Sequence, residues 1–304
     1  MMRIFISGAS GFLGTHLVEL LRAHGHELTL PARDQCDLQR PDSLQFFDHI
    51  PFDVIYHLAA WTQAGDFCLK HPGEQWVINQ KINTTVLDWW SSHQQQAKLV
   101  FMGTSCAYAE SSSLREHEYM DGEPIESLYT YAMTKRMLYQ GARALHQQYG
   151  LQYLCAVPST LYGPGYHTDG RQMHFIFDLI RKIIRGQEYH EPVILWGDGF
   201  QRRELVLVDD FVKTLLHMTK MPGSDIFNIG AGQDHSIREF AERISKVVGY
   251  DSERIHYDQS RYVGAKSKCL NIDKIRSAYP QFQLTSLDLG IKKTIEWFYR
   301  TKAF

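Results

Sequence analysis

Tyr131 and Lys135 stand four residues apart, a spacing that puts both on one face of a helix. An ammonium held beside a phenol is expected to lower the phenol's pKa from its ordinary value of about 10. The pair then gives and takes a proton near neutral pH. Many surface helices carry Tyr and Lys at this spacing, so the pair gains meaning from its company. Thr104 lies 27 residues before Tyr131, and a glycine-rich turn opens the chain.

Met2 to Ser7 reads as a short buried parallel strand, Gly8-Ala9-Ser10-Gly11-Phe12-Leu13-Gly14 follows at once, and His16 to His24 shows helical spacing. Strand, glycine turn and helix form a dinucleotide site: Gly8, Ser10, Gly11, Phe12, Leu13 and Gly14 bring backbone to the pyrophosphate, and the helix N-terminus stabilises its charge. The spacing is GxxGxxG rather than GxGxxG, and three glycines in seven residues also describe a plain tight turn.

The rest of the chain must position these residues. Glu27–Leu30, Asp53–Leu58, Lys98–Met102 and Tyr153–Val157 read as strands. Pro41–His49 begins a helix, Thr84–His93 belongs to a long one, and Ser127–Tyr149 carries the Tyr–Lys pair. This rhythm predicts an α/β fold with a doubly wound parallel sheet. After Pro164 the pattern loosens into helices at Met173–Arg185, Ile237–Val248 and Leu287–Tyr299 and strands at Val193–Gly199 and Arg203–Val208. The expected division is a dinucleotide domain over 1–163, to which a segment near 206–232 returns, and a smaller α/β substrate domain over 164–304.

Composition narrows the class. A net charge of −2 gives no reason to expect nucleic acid or an anionic membrane as partner. No apolar stretch is long enough to span a bilayer, and the N-terminus has no signal-peptide pattern. Five cysteines without paired spacing point to a reducing cytoplasm rather than a disulfide framework. No metal-ligand cluster stands out.

In order and spacing, the chain from Arg3 to about Phe298 resembles the extended short-chain dehydrogenase/reductase family, which acts on nucleotide sugars. The glycine turn, His57-Leu58-Ala59-Ala60, Gly103-Thr104-Ser105, the YxxxK pair, Leu161-Tyr162-Gly163-Pro164 and Val208-Asp209-Asp210 carry the likeness. Within the family, Ser105-Cys106-Ala107-Tyr108, Pro158 to Pro164, Trp196-Gly197-Asp198-Gly199 with Arg203-Glu204, and the stretch Ile237 to Tyr250 are similar to the branch that makes GDP-L-fucose by 3,5-epimerisation and 4-reduction.

The resemblance implies roles. Tyr131 protonates the C4 oxygen, Thr104 hydrogen-bonds the same oxygen, and Lys135 holds the nicotinamide ribose. Cys106 and His174 take the positions of base and acid for epimerisation; an ordinary thiol near 8.5 and imidazole near 6.5 suit reversible proton transfer. Ser105, Lys182, Trp196, Arg203 and Lys268 match substrate contacts. Asp37 and Leu38 line the adenine, Leu58, Ala59 and Ala60 follow the third strand, and Pro158, Thr160 and Leu161 lie toward the nicotinamide. Read as residues alone, a Cys after a buried strand is usually a small core residue, and His174 or Lys182 is equally a solvated one. Trp196 is equally core filler, and Arg202 stands beside Arg203 as an alternative anion contact. The implied dimer joins the helices around Thr84–His93 and Ser127–Tyr149, with Val86, Trp89, Trp90, Met137 and Leu138 suited to that contact or to packing on the sheet.

The second strand ends in Leu30-Pro31-Ala32-Arg33 with no acid at its tip, where enzymes using NAD usually place one. Arg33 fits a 2′-phosphate, so NADP(H) is expected, with NAD the alternative. The chain departs from the GDP-fucose branch at Ala9-Ser10, Thr160, Thr62–Pro72 and Val263–Lys268. These departures fall on nucleotide and sugar contacts rather than on the proton-transfer set. The expectation is a nucleotide-sugar 3,5-epimerase and 4-reductase. The alternatives are a simple 4-reductase or 4-epimerase on another nucleotide sugar, and a non-catalytic NADP sensor.

Overall fold

The computed structural model describes residues 1–110, 112–260 and 267–304. In chain order the strands are β1 (Arg3–Ser7), β2 (Glu27–Thr29), β3 (Val54–His57), β4 (Lys98–Met102), β5 (Tyr153–Pro158), β6 (Thr160–Tyr162), β7 (Ile194–Trp196), β8 (Arg202–Arg203), β9 (Leu205–Leu207), β10 (Asp225–Ile229), β11 (His235–Ser236) and β12 (His256–Asp258). The helices are α1 (Phe12–Ala23), α2 (Phe67–Lys70), α3 (Pro72–His93), α4 (Tyr129–Tyr149), α5 (Phe175–Tyr189), α6 (Val208–Thr219), α7 (Ile237–Val248), α8 (Asp273–Ala278) and α9 (Leu287–Thr301).

One compact unit comprises Met1–Thr62, Asp66–Pro158 and Phe211–Ile229. Its six-stranded sheet runs β10-β5-β4-β3-β1-β2 with every neighbouring pair parallel. Parallel neighbours need crossover connections, and covered sheet faces need strands apolar on both sides. Ile4, Phe5, Ile6, Leu99, Val100 and Phe101 are accordingly all fully buried. The chain leaves β1, β3, β4 and β5 at the same edge of the sheet, the carboxyl edge at which ligands of such folds bind. That edge places the glycine turn, Leu58, Thr104 and Pro158.

The expected helix over Pro41–His49 is absent; only a 3₁₀ turn at Gln45–Phe47 forms. The Gln94 amide takes the carbonyls of Phe47 and Ile50 at 3.1 and 3.0 Å, and Ile50 N–H bonds back three residues to Phe47, so no i to i−4 ladder starts. Val86, Trp89, Trp90 and Leu138, considered above for a dimer contact, are buried within this unit, and Trp90 Nε1 donates to the Ala97 carbonyl at 2.9 Å. Met137 is half-buried.

The other unit comprises Gln63–Gly65, Ser159–Asp210 and Gly230–Phe304. Its strands form three short ladders: β6 with β9 and β7 with β12, both parallel, and β8 antiparallel to β11. Helix α7 packs against α5 and α9. It starts on a capping box, Ser236 Oγ accepting from Glu239 N–H at 3.1 Å and Glu239 Oε2 from Ser236 N–H at 2.6 Å. Helix α5 runs four residues past the expected end at Arg185, and α6 was not anticipated as a helix. No helix among the described residues is long and apolar enough to cross a membrane.

Candidate active site

The glycine turn is built for close backbone approach. Gly8 adopts φ +74, and a Cβ there would lie 2.7 Å from Ala59 N. A Cβ on Gly14 would meet Gly8 O at 2.3 Å, so α1 can begin directly over the turn only as it stands. The α1 N-cap is Gly11, which offers no side chain to the first helical amides. This cradle fits a dinucleotide pyrophosphate. Ser10 is exposed on the turn, and Phe12 and Leu13 open α1. Arg33 is exposed beyond β2; Asp37 accepts from Gln39 N–H at 3.2 Å, and Leu38 is buried. Ala59 N–H reaches Ser7 Oγ at 3.4 Å, while Asn79 fixes the next stretch, accepting from Trp61 N–H at 2.9 Å and donating to the Trp61 carbonyl at 3.0 Å.

In the same unit the sequence-singled set assembles. The Thr104 side chain lies near enough to the Tyr131 phenol to favour its ionised form, and Thr104 Oγ1 accepts from Cys106 N–H at 3.2 Å. Cys106 is half-buried in the 3₁₀ turn Ser105–Ala107, beside half-buried Ser105. Lys135 lies one turn on from Tyr131, buried. The expected lowering of the Tyr131 pKa does not occur. Burial pushes the phenol well up, and charge on Cys106 pushes the same way, outweighing the lowering by nearby Thr104. The pKa of Lys135 itself falls to about 8 because burial penalises the ammonium. Tyr131 is therefore a firmly protonated phenol at pH 7.

Two supports escaped the sequence reading. His57 is buried, with Nδ1 2.8 Å from Ser7 Oγ and Nε2 3.2 Å from Asn83 Oδ1. Asn83 in turn donates to the Thr134 carbonyl at 3.4 Å, next to Lys135. Burial holds His57 down at about 4, so it is a neutral link between sheet and α4. Arg136, also buried, donates from Nε and Nη2 to the Ala107 carbonyl at 3.0 and 2.6 Å, and to the carbonyls of Asp121 and Gly122 at 2.8 and 2.7 Å. It ties the Cys106 turn to the helix bearing Tyr131. Nothing in the spacing of a lone Arg after Lys135 announces this; its carbonyl partners are 14 to 29 residues away.

The second unit holds the remaining residues. Pro158 ends β5 of the first unit, whereas Thr160 and Leu161 lie on β6. His174 caps α5, its N–H donating to the Tyr166 hydroxyl at 3.3 Å. Its Nδ1 is buried with no hydrogen-bond partner among the described residues. Burial and then the Arg203 charge hold the imidazole at about 4, which corrects the expectation of a ring titrating near neutrality and of one facing solvent. Arg202 pairs with Asp234 at 2.9 Å and with Glu239 at 3.3 Å. Lys182 pairs with Asp178 at 2.8 Å, one turn back. Trp196 is 49% exposed on β7, so it is not core filler. Lys268 is half-buried; the expected departure over 263–266 lies outside the described residues. Buried Glu204, unremarked by chemistry in the sequence, accepts from Gly232 N–H at 2.6 Å and Leu270 N–H at 2.9 Å, anchoring the stretch that carries Lys268. No group of His, Cys, Asp or Glu among the described residues is placed to hold a metal.

The profile of the NAD dependent epimerase/dehydratase family matches residues 4–230. The chain belongs to this family. Among curated members, the GDP-L-fucose synthase of Escherichia coli K12 is 28% identical, with 97% of this chain and 96% of that protein aligned. The GDP-L-colitose synthase of Yersinia pseudotuberculosis is 27% identical over 99% of each. A crystal structure of a GDP-L-fucose synthetase from Naegleria fowleri bound to NADP superposes with a TM-score of 0.88 at 20% identity, covering 99% of this chain and 93% of that one. For a member of the NAD dependent epimerase/dehydratase family, the doubly wound parallel sheet and the glycine turn at its carboxyl edge are the shared frame.

Proposed function

We propose that this protein is an NADPH-dependent 3,5-epimerase and 4-reductase of a GDP-4-keto-6-deoxy-hexose. The observation that carries the reading is that Thr104, at the sheet's carboxyl edge, caps the turn bearing Cys106 through its side chain, in the same unit as the helix start that carries Tyr131 and buried Lys135. The names of the two curated relatives, both GDP-sugar synthases, support the nucleotide.

Carbons 3 and 5 flank the ketone and are acidic because their anions are enolates. Cys106 takes the role of base toward these carbons and His174, in the other unit, that of acid. Arg203 lowers the His174 pKa before substrate binds. A diphosphate on Arg203 cancels part of that charge and raises His174 toward the range a proton donor needs. When bound, the nicotinamide supplies hydride. Tyr131, held protonated by burial, gives its proton to O4, and Thr104 aligns that oxygen. Lys135 holds the ribose hydroxyls. Ser105, Lys182, Trp196 and Lys268 contact sugar and nucleotide. Loss of NADPH absorbance on adding GDP-4-keto-6-deoxy-mannose tests the reading; no loss with tight NADPH binding refutes this substrate. The second reading, 4-reduction alone on a related GDP-sugar, draws on the low His174 pKa, which leaves the epimerisation acid the weakest member of the set.

Arg33, exposed beyond β2, is proposed to meet the 2′-phosphate of NADPH. Arg33→Ala is expected to weaken NADPH about tenfold or more and NADH within about twofold, since one charge-assisted contact is lost. Titration of cofactor fluorescence checks this, and equal loss for both cofactors contradicts it.

The chain is further proposed to form a homodimer through α3 and α4. The helices expose an apolar groove of about 400 Å³ lined by Pro72, Trp76, Val77, Tyr129 and Met133. Trp76 and Tyr129 are 38% and 40% exposed, a patch better suited to a second copy than to water. Light scattering is expected to give twice the chain mass for the wild type and the single mass for Trp76→Glu. A monomeric wild type overturns the dimer.

A further inference from the structure

We propose that Tyr119 is a positioning residue that locks Thr104 for proton transfer, acting through the Thr104 backbone amide. Beyond β4 the chain leaves the ladder: Gly103 N–H still reaches Ala156 O at 2.8 Å, but the next amide, that of Thr104, has no strand acceptor. A buried amide without a partner is costly. Here Thr104 N–H donates to the Tyr119 hydroxyl at 3.2 Å. Through its side chain the same residue accepts from Cys106 N–H and lies near the Tyr131 phenol. Tyr119 therefore sets the backbone from which both of those contacts hang.

The surroundings are shaped for that hydroxyl. Tyr119 is completely buried, and its ring lies edge-on between Tyr108 and Tyr139, each centroid 5.4 Å away. A Cβ on Gly103 would sit 2.8 Å from the Tyr119 oxygen and 2.9 Å from Val157 Cγ2, so the bare glycine is what admits the oxygen. The chain on either side of Tyr119 is pinned as well. Glu118 accepts from Arg115 N–H at 3.0 Å, and Arg136 holds the carbonyls of Asp121 and Gly122. Arg136 is on α4, as is Tyr131. The phenol ring alone would fill the core as Phe; the oxygen is there for the amide.

The inference rests on reading Thr104 and Tyr131 as the proton-transfer pair, and the test separates the two. Tyr119→Phe keeps the ring and removes only the oxygen. Its Thr104 amide proton, followed by ¹⁵N-edited NMR of the full chain, is expected to move upfield as the hydrogen bond is lost. With the 4-keto nucleotide sugar that the wild type reduces, kcat is expected to fall about tenfold while both KM values stay within about twofold. An unmoved amide resonance overturns the hydrogen bond. A moved resonance with unchanged kcat overturns the positioning role, as does a matching rise in KM with a collapsed melting temperature, which marks general packing. Thr104→Ala is the control. If it retains wild-type kcat, the assignment of Thr104 to proton transfer fails, and the Tyr119 proposal with it. If it loses kcat while Tyr119→Phe does not, only the Tyr119 proposal fails.

Discussion

Tyr131→Phe is expected to lower turnover of the 4-keto nucleotide sugar by about a thousandfold, with NADPH affinity unchanged. Removing a positioned general acid costs between about a hundredfold and ten-thousandfold. The upper part of that range is expected here because the site offers no ready substitute. Burial keeps the phenol protonated, so it is a stored proton rather than an equilibrating one. Thr104 can still hydrogen-bond the substrate oxygen, but a hydroxyl without a stronger acid behind it is a poor donor. The ring of Phe fills the same half-buried space on the first turn of α4, so fold and cofactor cradle are left alone. Single-turnover NADPH oxidation alongside a cofactor titration measures both quantities. Retained turnover removes Tyr131 from its role, and lost cofactor binding makes the effect structural.

Cys106→Ser is expected to slow entry of solvent deuterium at carbons 3 and 5 by at least about a hundredfold, because a thiol can supply a thiolate base near neutral pH whereas a serine hydroxyl does not ionise there. Reduction of a ketone that needs no epimerisation should change little. The substitution is conservative for packing: Cys106 is half-buried in a short turn whose geometry is set by the bond from its backbone N–H to Thr104 Oγ1. If deuterium entry and reduction fall together, the substitution has disturbed Thr104 and Tyr131. If deuterium entry is unchanged, Cys106 is not the base.

The frame was legible because its signals are local. A strand, three glycines and a helix fall within the first residues, and the steric reason for Gly8 and Gly14 follows from the turn they make. The helix Ile237–Val248 was legible to the residue because its apolar stripe begins on a capping box and ends at Gly249 with φ +84. The region Pro41–His49 was misread because Gln94, about forty residues later, takes the carbonyls a helix would use. The electrostatics were least legible. Helical spacing puts Lys135 beside Tyr131, but burial, which spacing does not report, sets the pKa of both. His174 shows the same thing: its motif suggested an ordinary imidazole, and its buried Nδ1 beside the Arg203 charge gives a neutral one. Arg136, Tyr119 and Glu204 act through backbone groups distant in sequence, and side-chain identity does not encode those partners.

The central claim is that one site epimerises and reduces. The direct measurement is turnover of GDP-4-keto-6-deoxy-mannose with NADPH in D₂O, with the product read by mass spectrometry and NMR. NADPH consumption is expected, with deuterium at carbons 3 and 5 of the reduced sugar. Consumption of NADPH with a product carrying no deuterium at those carbons contradicts it and leaves a 4-reductase.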